Sequence, residues 1–139
     1  MMKQIVETNW KGQMAFSANV GGHKIEMDAS ADNGGGDNGA RPKQLMMAAL
    51  AGCTGMDVVS ILKKMKVELD SFDIRIEAEM TEEHPKQYSQ MHIIYLFKGK
   101  TLDIEKLNRA VELSQEKYCG VTAMYRKAMN ISYEIKIVE

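Results

Sequence analysis

Cysteine is scarce in this chain. Its 139 residues include only Cys53 and Cys119, too few for a disulfide-rich scaffold in any compartment. An excess of one charge is missing too: 18 basic against 19 acidic side chains leave a net −1. Nucleic acid or an anionic membrane surface would favour a basic excess, so neither is expected as a partner. Nor is there a long hydrophobic run. The longest uncharged apolar-rich stretch, Leu45 to Met56, falls short of the roughly 20 residues that cross a bilayer, and Lys43 and Asp57 close it off. It reads as a buried segment. The first residues, MMKQIVETNW, lack the apolar run and small-residue cleavage site of a secretory signal. The expected location is the cytoplasm, where thiols stay mostly reduced.

The strong metal signatures are absent as well. His23, His84 and His92 are scattered, and neither C-x-x-C nor H-E-x-x-H occurs, so no metal and no cofactor is expected. No G-x-S-x-G occurs, which removes the common hydrolase reading. The glycine-rich stretch Gly34-Gly35-Gly36-Asp37-Asn38-Gly39 lacks the Gly-Lys-Ser/Thr ending of a phosphate loop and the alternating acids of an EF-hand. It reads as part of a flexible polar loop, Ser30 to Ala40.

What is present has the composition of an ordinary globular protein, 45% hydrophobic and 27% charged, at a length that suits one domain. Lys3 to Trp10, Gln13 to Val20 and His23 to Ala29 are separated by Gly12 and by Gly21-Gly22, which predicts a three-stranded meander. In the third run Ile25, Met27 and Ala29 alternate with Lys24, Glu26 and Asp28, the pattern of a sheet with one wet face. Pro42 opens a helix predicted to reach about Lys66. Its first half is apolar around the whole circumference, which requires burial on every side. A homodimer in which two copies of this helix pack together would supply that cover.

Phe72, Ile74, Ile76, Ala78 and Met80 alternate with charged residues in a half-buried strand, and Gln87 to Lys98 is its expected hairpin partner. Asp103 can N-cap a helix carrying Ile104, Leu107, Val111 and Tyr118, with Gly120 breaking it and a short helical piece from Val121 to Lys127 after it. A final strand carries Ile131, Tyr133, Ile135 and Ile137. The order βββ-α-ββ-α-(α)-β is an α+β pattern.

Cys53 and Cys119 lie in helical regions, and free Cys is among the most buried residue types, so they read either as core residues or as redox chemistry. Gly52 and Gly55 leave space beside the first sulfur that a bulky core residue would fill. Met46, Met47 and Met56 on the long helix would line an adaptable apolar pocket, although such residues are more often core filler.

Arg41-Pro42-Lys43-Gln44-Leu45 through Ala48-Ala49-Leu50-Ala51-Gly52-Cys53-Thr54-Gly55-Met56, with the later Ser114-Gln115-Glu116-Lys117-Tyr118-Cys119-Gly120-Val121, resembles the two cysteine motifs of the OsmC/Ohr family. The resemblance covers nearly the whole chain. It implies one OsmC-like domain over residues 1–139 in an intertwined homodimer, with two long central helices back to back, wrapped by sheets. It also implies an antioxidant, oxidative-stress role for the cysteines. Cys53 would be the peroxidatic thiolate attacking an organic hydroperoxide, and Cys119 the resolving thiol that forms a disulfide with it. An external dithiol would restore both.

One departure marks a divergent branch. The family's peroxidases carry a Glu at the place of Lys43, holding an Arg from the N-terminal region against the sulfur, and no Arg precedes Arg41 here. A mid-helix cysteine gains little from the helix dipole, so a cation is needed to favour its thiolate. Arg41 is roughly 18 Å from Cys53 along a continuous helix, which leaves a contact across the dimer, or Arg126 near Cys119, as the candidates. The rival function is a non-catalytic dimer of the same fold that senses redox state or binds a small apolar ligand.

Overall fold

A computed structural model describes residues 2–139 of the chain. Strands β1 (Glu7–Gly12), β2 (Ala15–Val20) and β3 (His23–Met27) form an antiparallel sheet in that order. Gly21 and Gly22 both hold positive φ in a two-residue turn, the geometry that matches the twist of a hairpin. The expected meander is therefore present, although residues 3–6 lie outside β1. In β3, Ile25 and Met27 are half-buried while Lys24 and Glu26 are exposed.

The strand stops two residues before the predicted Ala29 because Asp28 turns inward. Its buried carboxylate accepts backbone N–H bonds from Ala29, Gly36 and Asn38 at 2.7, 3.2 and 3.1 Å. Those bonds, led by that of Asn38, hold its pKa below the ordinary value, with burial opposing them and Arg41 adding a smaller favourable charge. The expectation of a flexible loop is corrected here: residues 30–40 are wound around one carboxylate. A Cβ on Gly35 would lie 2.1 Å from the Ala29 carbonyl oxygen, so only glycine fits there. The spacing of Gly34, Gly36 and Gly39 matches a dinucleotide-binding fingerprint letter for letter, but the loop's amides already serve its own anion.

These residues belong to one compact unit ending at Met46, and a second runs from Met47 to Glu139. Helix α1 (Gln44–Lys64) starts two residues after Pro42. It ends with Lys66 at φ 60°, while the N–H groups of Lys66 and Val67 donate to the Lys63 and Leu62 carbonyls, a Schellman closure without glycine. By length and composition this 21-residue helix could cross a bilayer, which the shorter apolar run did not suggest. Its buried residues Leu50, Thr54, Val58 and Leu62 recur every fourth position, the single stripe of a core helix. Burial on every side is thus not met among the described residues of the second unit.

Strands β4 (Ser71–Met80) and β5 (Tyr88–Lys98) pair antiparallel, and β6 (Asn130–Ile137) joins β5 in parallel. The inward alternation of β4 holds from Phe72 to Ala78, but a register shift after Glu79 turns Met80 out to solvent. In central β5, Met91, Ile93, Tyr95 and Phe97 are fully buried against the α1 stripe's cluster. On the outer face His92 sits 2.7 Å from both Ser132 Oγ and Glu134 Oε2, and the Glu134 carboxyl is held down in pKa by His92 and then Lys136. The crossover to β6 contains α2 (Ile104–Leu113), a π-turn at Ser114–Tyr118 and α3 (Gly120–Arg126). Asp103 caps α2 as predicted, accepting from the N–H groups of Glu105 and Lys106. The fold is mixed α+β with the expected element order.

Candidate active site

The break before α3 is made by Cys119 rather than Gly120. Cys119 takes an extended conformation, its N–H donates to Ser114 O across the π-turn at 2.8 Å, and its Sγ accepts the Thr122 N–H at 3.3 Å. Gly120 is instead the first residue of α3. The periodicity that carried Tyr118 on α2 fails there because the π-turn inserts an extra residue per turn, and Tyr118 is exposed.

Cys53 lies mid-way along α1, half-buried, and Cys119 is only 3% exposed. Both are free cysteines, and Cys53 lies near enough to Cys119 to bear on its pKa. Burial pushes the Cys119 pKa up, the hydroxyl and N–H of Thr122 pull against it, and the neighbouring Cys53 raises it further. Cys119 is therefore a protonated thiol at neutral pH. The Thr122 hydroxyl is buried without a hydrogen-bond partner of good geometry and faces the Cys119 sulfur.

Arg126 and Arg41 each have described partners within the chain. Arg126 donates from Nη1 to Gln115 O at 2.8 Å and from Nη2 to Gln115 Oε1 at 3.0 Å. Arg41, in the first unit, donates from Nη1 to Asp37 Oδ1 at 2.8 Å and to Gly39 O at 3.1 Å. Lys43 is an exposed residue of the turn before α1.

Of the three methionines expected to line a substrate pocket, Met56 borders a groove on α1. With Gly52, Gly55, Val59, Phe72 and Ile74 it borders an open, mainly apolar groove of about 710 Å³ along the uncovered face of α1. Met47 packs against the core instead, and Met46 belongs to the first unit, so neither lines this groove. Among the described residues no group of three or more His, Cys, Asp or Glu side chains is placed to hold a metal.

A buried polar chain adjoins the thiols that sequence reasoning did not find. Thr54 Oγ1 lies 2.6 Å from Tyr95 Oη and 2.8 Å from Ser114 Oγ. Ser114 donates to Asp57 Oδ2 at 2.9 Å, and Gln115 Nε2 donates to Tyr95 Oη at 2.8 Å. Burial drives the Tyr95 pKa up to about 12, against the hydrogen bonds of Thr54 and Gln115. The one sequence signal was Thr54 itself, a hydroxyl in the apolar half of a helix.

Comparison with known proteins converges on one family. The pattern that describes the OsmC-like protein family matches residues 34–134. Protein YhfA of Escherichia coli K12 is 32% identical over 128 residues, 92% of each chain. A crystal structure of a hypothetical protein from Aquifex aeolicus VF5 superposes with a TM-score of 0.84 at 33% identity over the full length of both chains. The organic hydroperoxide resistance protein OhrB of Bacillus subtilis shares the fold, with a TM-score of 0.68 at 19% identity over 97% of this chain and 98% of that one. Both thiol-bearing segments fall inside the matched region, and the similarity runs nearly end to end: the chain belongs to the OsmC-like family.

Proposed function

We propose that the protein is a cysteine-based thiol peroxidase that reduces organic hydroperoxides in the cytoplasm, one domain over residues 1–139 acting as a homodimer. The observation that carries this is the proximity of a half-buried Cys53 to a buried Cys119 whose pKa is raised. The family's solved members named for hydroperoxide resistance supply the substrate class.

The Cys53 thiolate attacks the peroxide O–O bond. An S–O bond forms, the O–O bond breaks, and the alkoxide leaves to take a proton and become an alcohol. Cys119 then attacks the sulfenic sulfur; the S–S bond forms and hydroxide leaves as water with the Cys119 proton. An external dithiol exchanges with the disulfide, is itself oxidised to a disulfide, and returns both thiols. The exposure difference suits this order, since peroxide reaches Cys53 first.

The homodimer is supported by the bare apolar face of α1, whose groove a second copy would cover. Sedimentation should report about twice 15.6 kDa.

One observation favours the second reading, a dimer that senses redox state without turnover: both described hydrogen bonds of Arg126 go to Gln115. Steady consumption of cumene hydroperoxide with dithiothreitol or dihydrolipoate separates the two. The peroxidase turns over many equivalents, and Cys53→Ser abolishes this. Cys119→Ser should leave a trappable sulfenic acid on Cys53. Consumption of a single equivalent with dithiol in excess would establish the sensor instead.

A further inference from the structure

The buried chain can be ordered proton by proton. Ser114 donates its single hydroxyl hydrogen to Asp57 Oδ2. The bond between Ser114 and Thr54 must then be donated by Thr54. That uses the one hydrogen of Thr54, so Tyr95 is the donor in the 2.6 Å bond between them. Tyr95 in turn accepts from Gln115 Nε2, which points the Gln115 carbonyl oxygen at Arg126. Every hydrogen bond runs the same way, from the Arg126 guanidinium through Gln115, Tyr95, Thr54 and Ser114 to the Asp57 carboxylate. Bonds ordered head to tail polarise one another, and a cation and an anion terminate this series at its donor and acceptor ends. With its pKa up at about 12, Tyr95 keeps the hydrogen this order requires at neutral pH.

The chain ties together the two segments that carry the sulfurs. Thr54 follows Cys53 on α1. Ser114 opens the π-turn, and its carbonyl receives the Cys119 N–H at 2.8 Å. One bond of 2.8 Å, Thr54 to Ser114, therefore links the backbone beside Cys53 to the residue that anchors Cys119. Arg126 grips Gln115 at both its main-chain and side-chain oxygens and holds the next residue of the π-turn.

We propose that Thr54, Tyr95 and Gln115 are positioning residues for the Cys53–Cys119 pair: their one-way hydrogen-bond chain, closed by Arg126 and Asp57, locks the π-turn onto α1 and keeps the two sulfurs in range of a disulfide. Arg126 acts on the thiols through Gln115. The inference rests on the proposed function only in taking the pair as redox-active.

The test is the dithiol–disulfide equilibrium of the intact protein in glutathione buffers, where one oxidised glutathione is reduced to two thiols as the Cys53–Cys119 disulfide forms. Alkylation and intact mass measure the oxidised fraction. Thr54→Val keeps the shape of the side chain and removes both of its hydrogen bonds. It should lower the equilibrium constant for disulfide formation by about tenfold or more, since a looser pair has a lower effective concentration. Thr54→Ser restores the hydroxyl and should lie within about twofold of wild type.

Should Thr54→Val fail to fold, Gln115→Glu serves in its place. It keeps the bridge to Arg126, but its carboxylate cannot donate to Tyr95, so the order reverses there and the same loss is expected. A Thr54→Val or Gln115→Glu protein that melts at lower temperature yet keeps its glutathione equilibrium within about twofold of wild type would overturn the proposal and leave the chain a purely structural role. No peroxide enters this measurement. Failure of peroxide turnover therefore bears on the peroxidase reading, and an unmoved thiol equilibrium bears on the positioning chain.

Discussion

The two faces of α1 share one helix and nearly one composition, and they have opposite surroundings. Leu50, Thr54, Val58 and Leu62 are sealed against β5 and α2, while Gly52 and Val59 are exposed and Met56 is 77% exposed. Polarity does not sort them: the buried stripe includes a hydroxyl, and the bare one a methionine and a valine. A helix that is apolar all round announces that it will be covered, but its own chain decides which side it covers first. The remaining apolar stripe is then available to something outside the chain, which is why burial on every side is not met here.

The sharpest test of this contrast removes a buried side chain. Leu62→Ala should lower unfolding stability by about 2–5 kcal/mol in a denaturant titration, through lost transfer energy and the cavity left behind. A loss comparable to that of an exposed residue would show that the stripe is not core.

Next comes the hydroxyl partner on that face. Tyr95 has a folded pKa of about 12 against an ordinary 10.0. Because the folded value is raised, the stabilisation is fully present below pH 10 and is lost as pH climbs toward 12, amounting to roughly 3 kcal/mol at about 1.36 kcal/mol per unit. Stability measured from pH 9 to 12 should fall by that order in wild type. The decline should be correspondingly shallower in Tyr95→Phe.

On the bare face, Met56→Asp should leave the helical circular dichroism unchanged while weakening self-association by about tenfold or more, because a charge would be stranded in an apolar contact. Sedimentation across a dilution series measures this, and an unchanged dimer would place the interface elsewhere.

The smallest effect belongs to the glycines. A Cβ on Gly52 meets nothing within 4 Å in the chain, whereas one on Gly55 would lie 2.9 Å from Ile74 Cδ1. In a Met56→Asp background, Gly52→Ala should stabilise the chain by about 0.5–1 kcal/mol through helix propensity. Gly55→Ala should gain less, since the end of Ile74 must shift. Equal gains at both positions would mean that α1 and β4 are less closely packed than the structure has them.

Much of the fold was legible without the structure. Gly12 and the pair Gly21-Gly22 marked the first hairpins, Asp103 marked the start of α2, and the period of two in β4 identified its inward face up to Ala78. Each signal acts over a few residues, so each survives any tertiary arrangement compatible with it. The departures were local patterns overridden by partners at a distance. Asp28 left the wet face because three amides of its loop needed an acceptor. The α2 pattern broke at the π-turn, where Ser114 and Gln115 are drawn toward α1 and β5.

The sequence by itself determined the order of the elements, the apolar helix with a cysteine at its middle, and the resemblance that named two thiols. Tertiary structure decided that those thiols are neighbours, that Arg126 serves Gln115, and that a directional chain of hydrogen bonds adjoins the pair. Thr54 finds Tyr95 41 positions away and Ser114 60 positions away. No periodicity reaches across such gaps. A buried hydroxyl must take whatever partner packing brings within about 3 Å, and that choice exists only once α1, β5 and the crossover have closed around it.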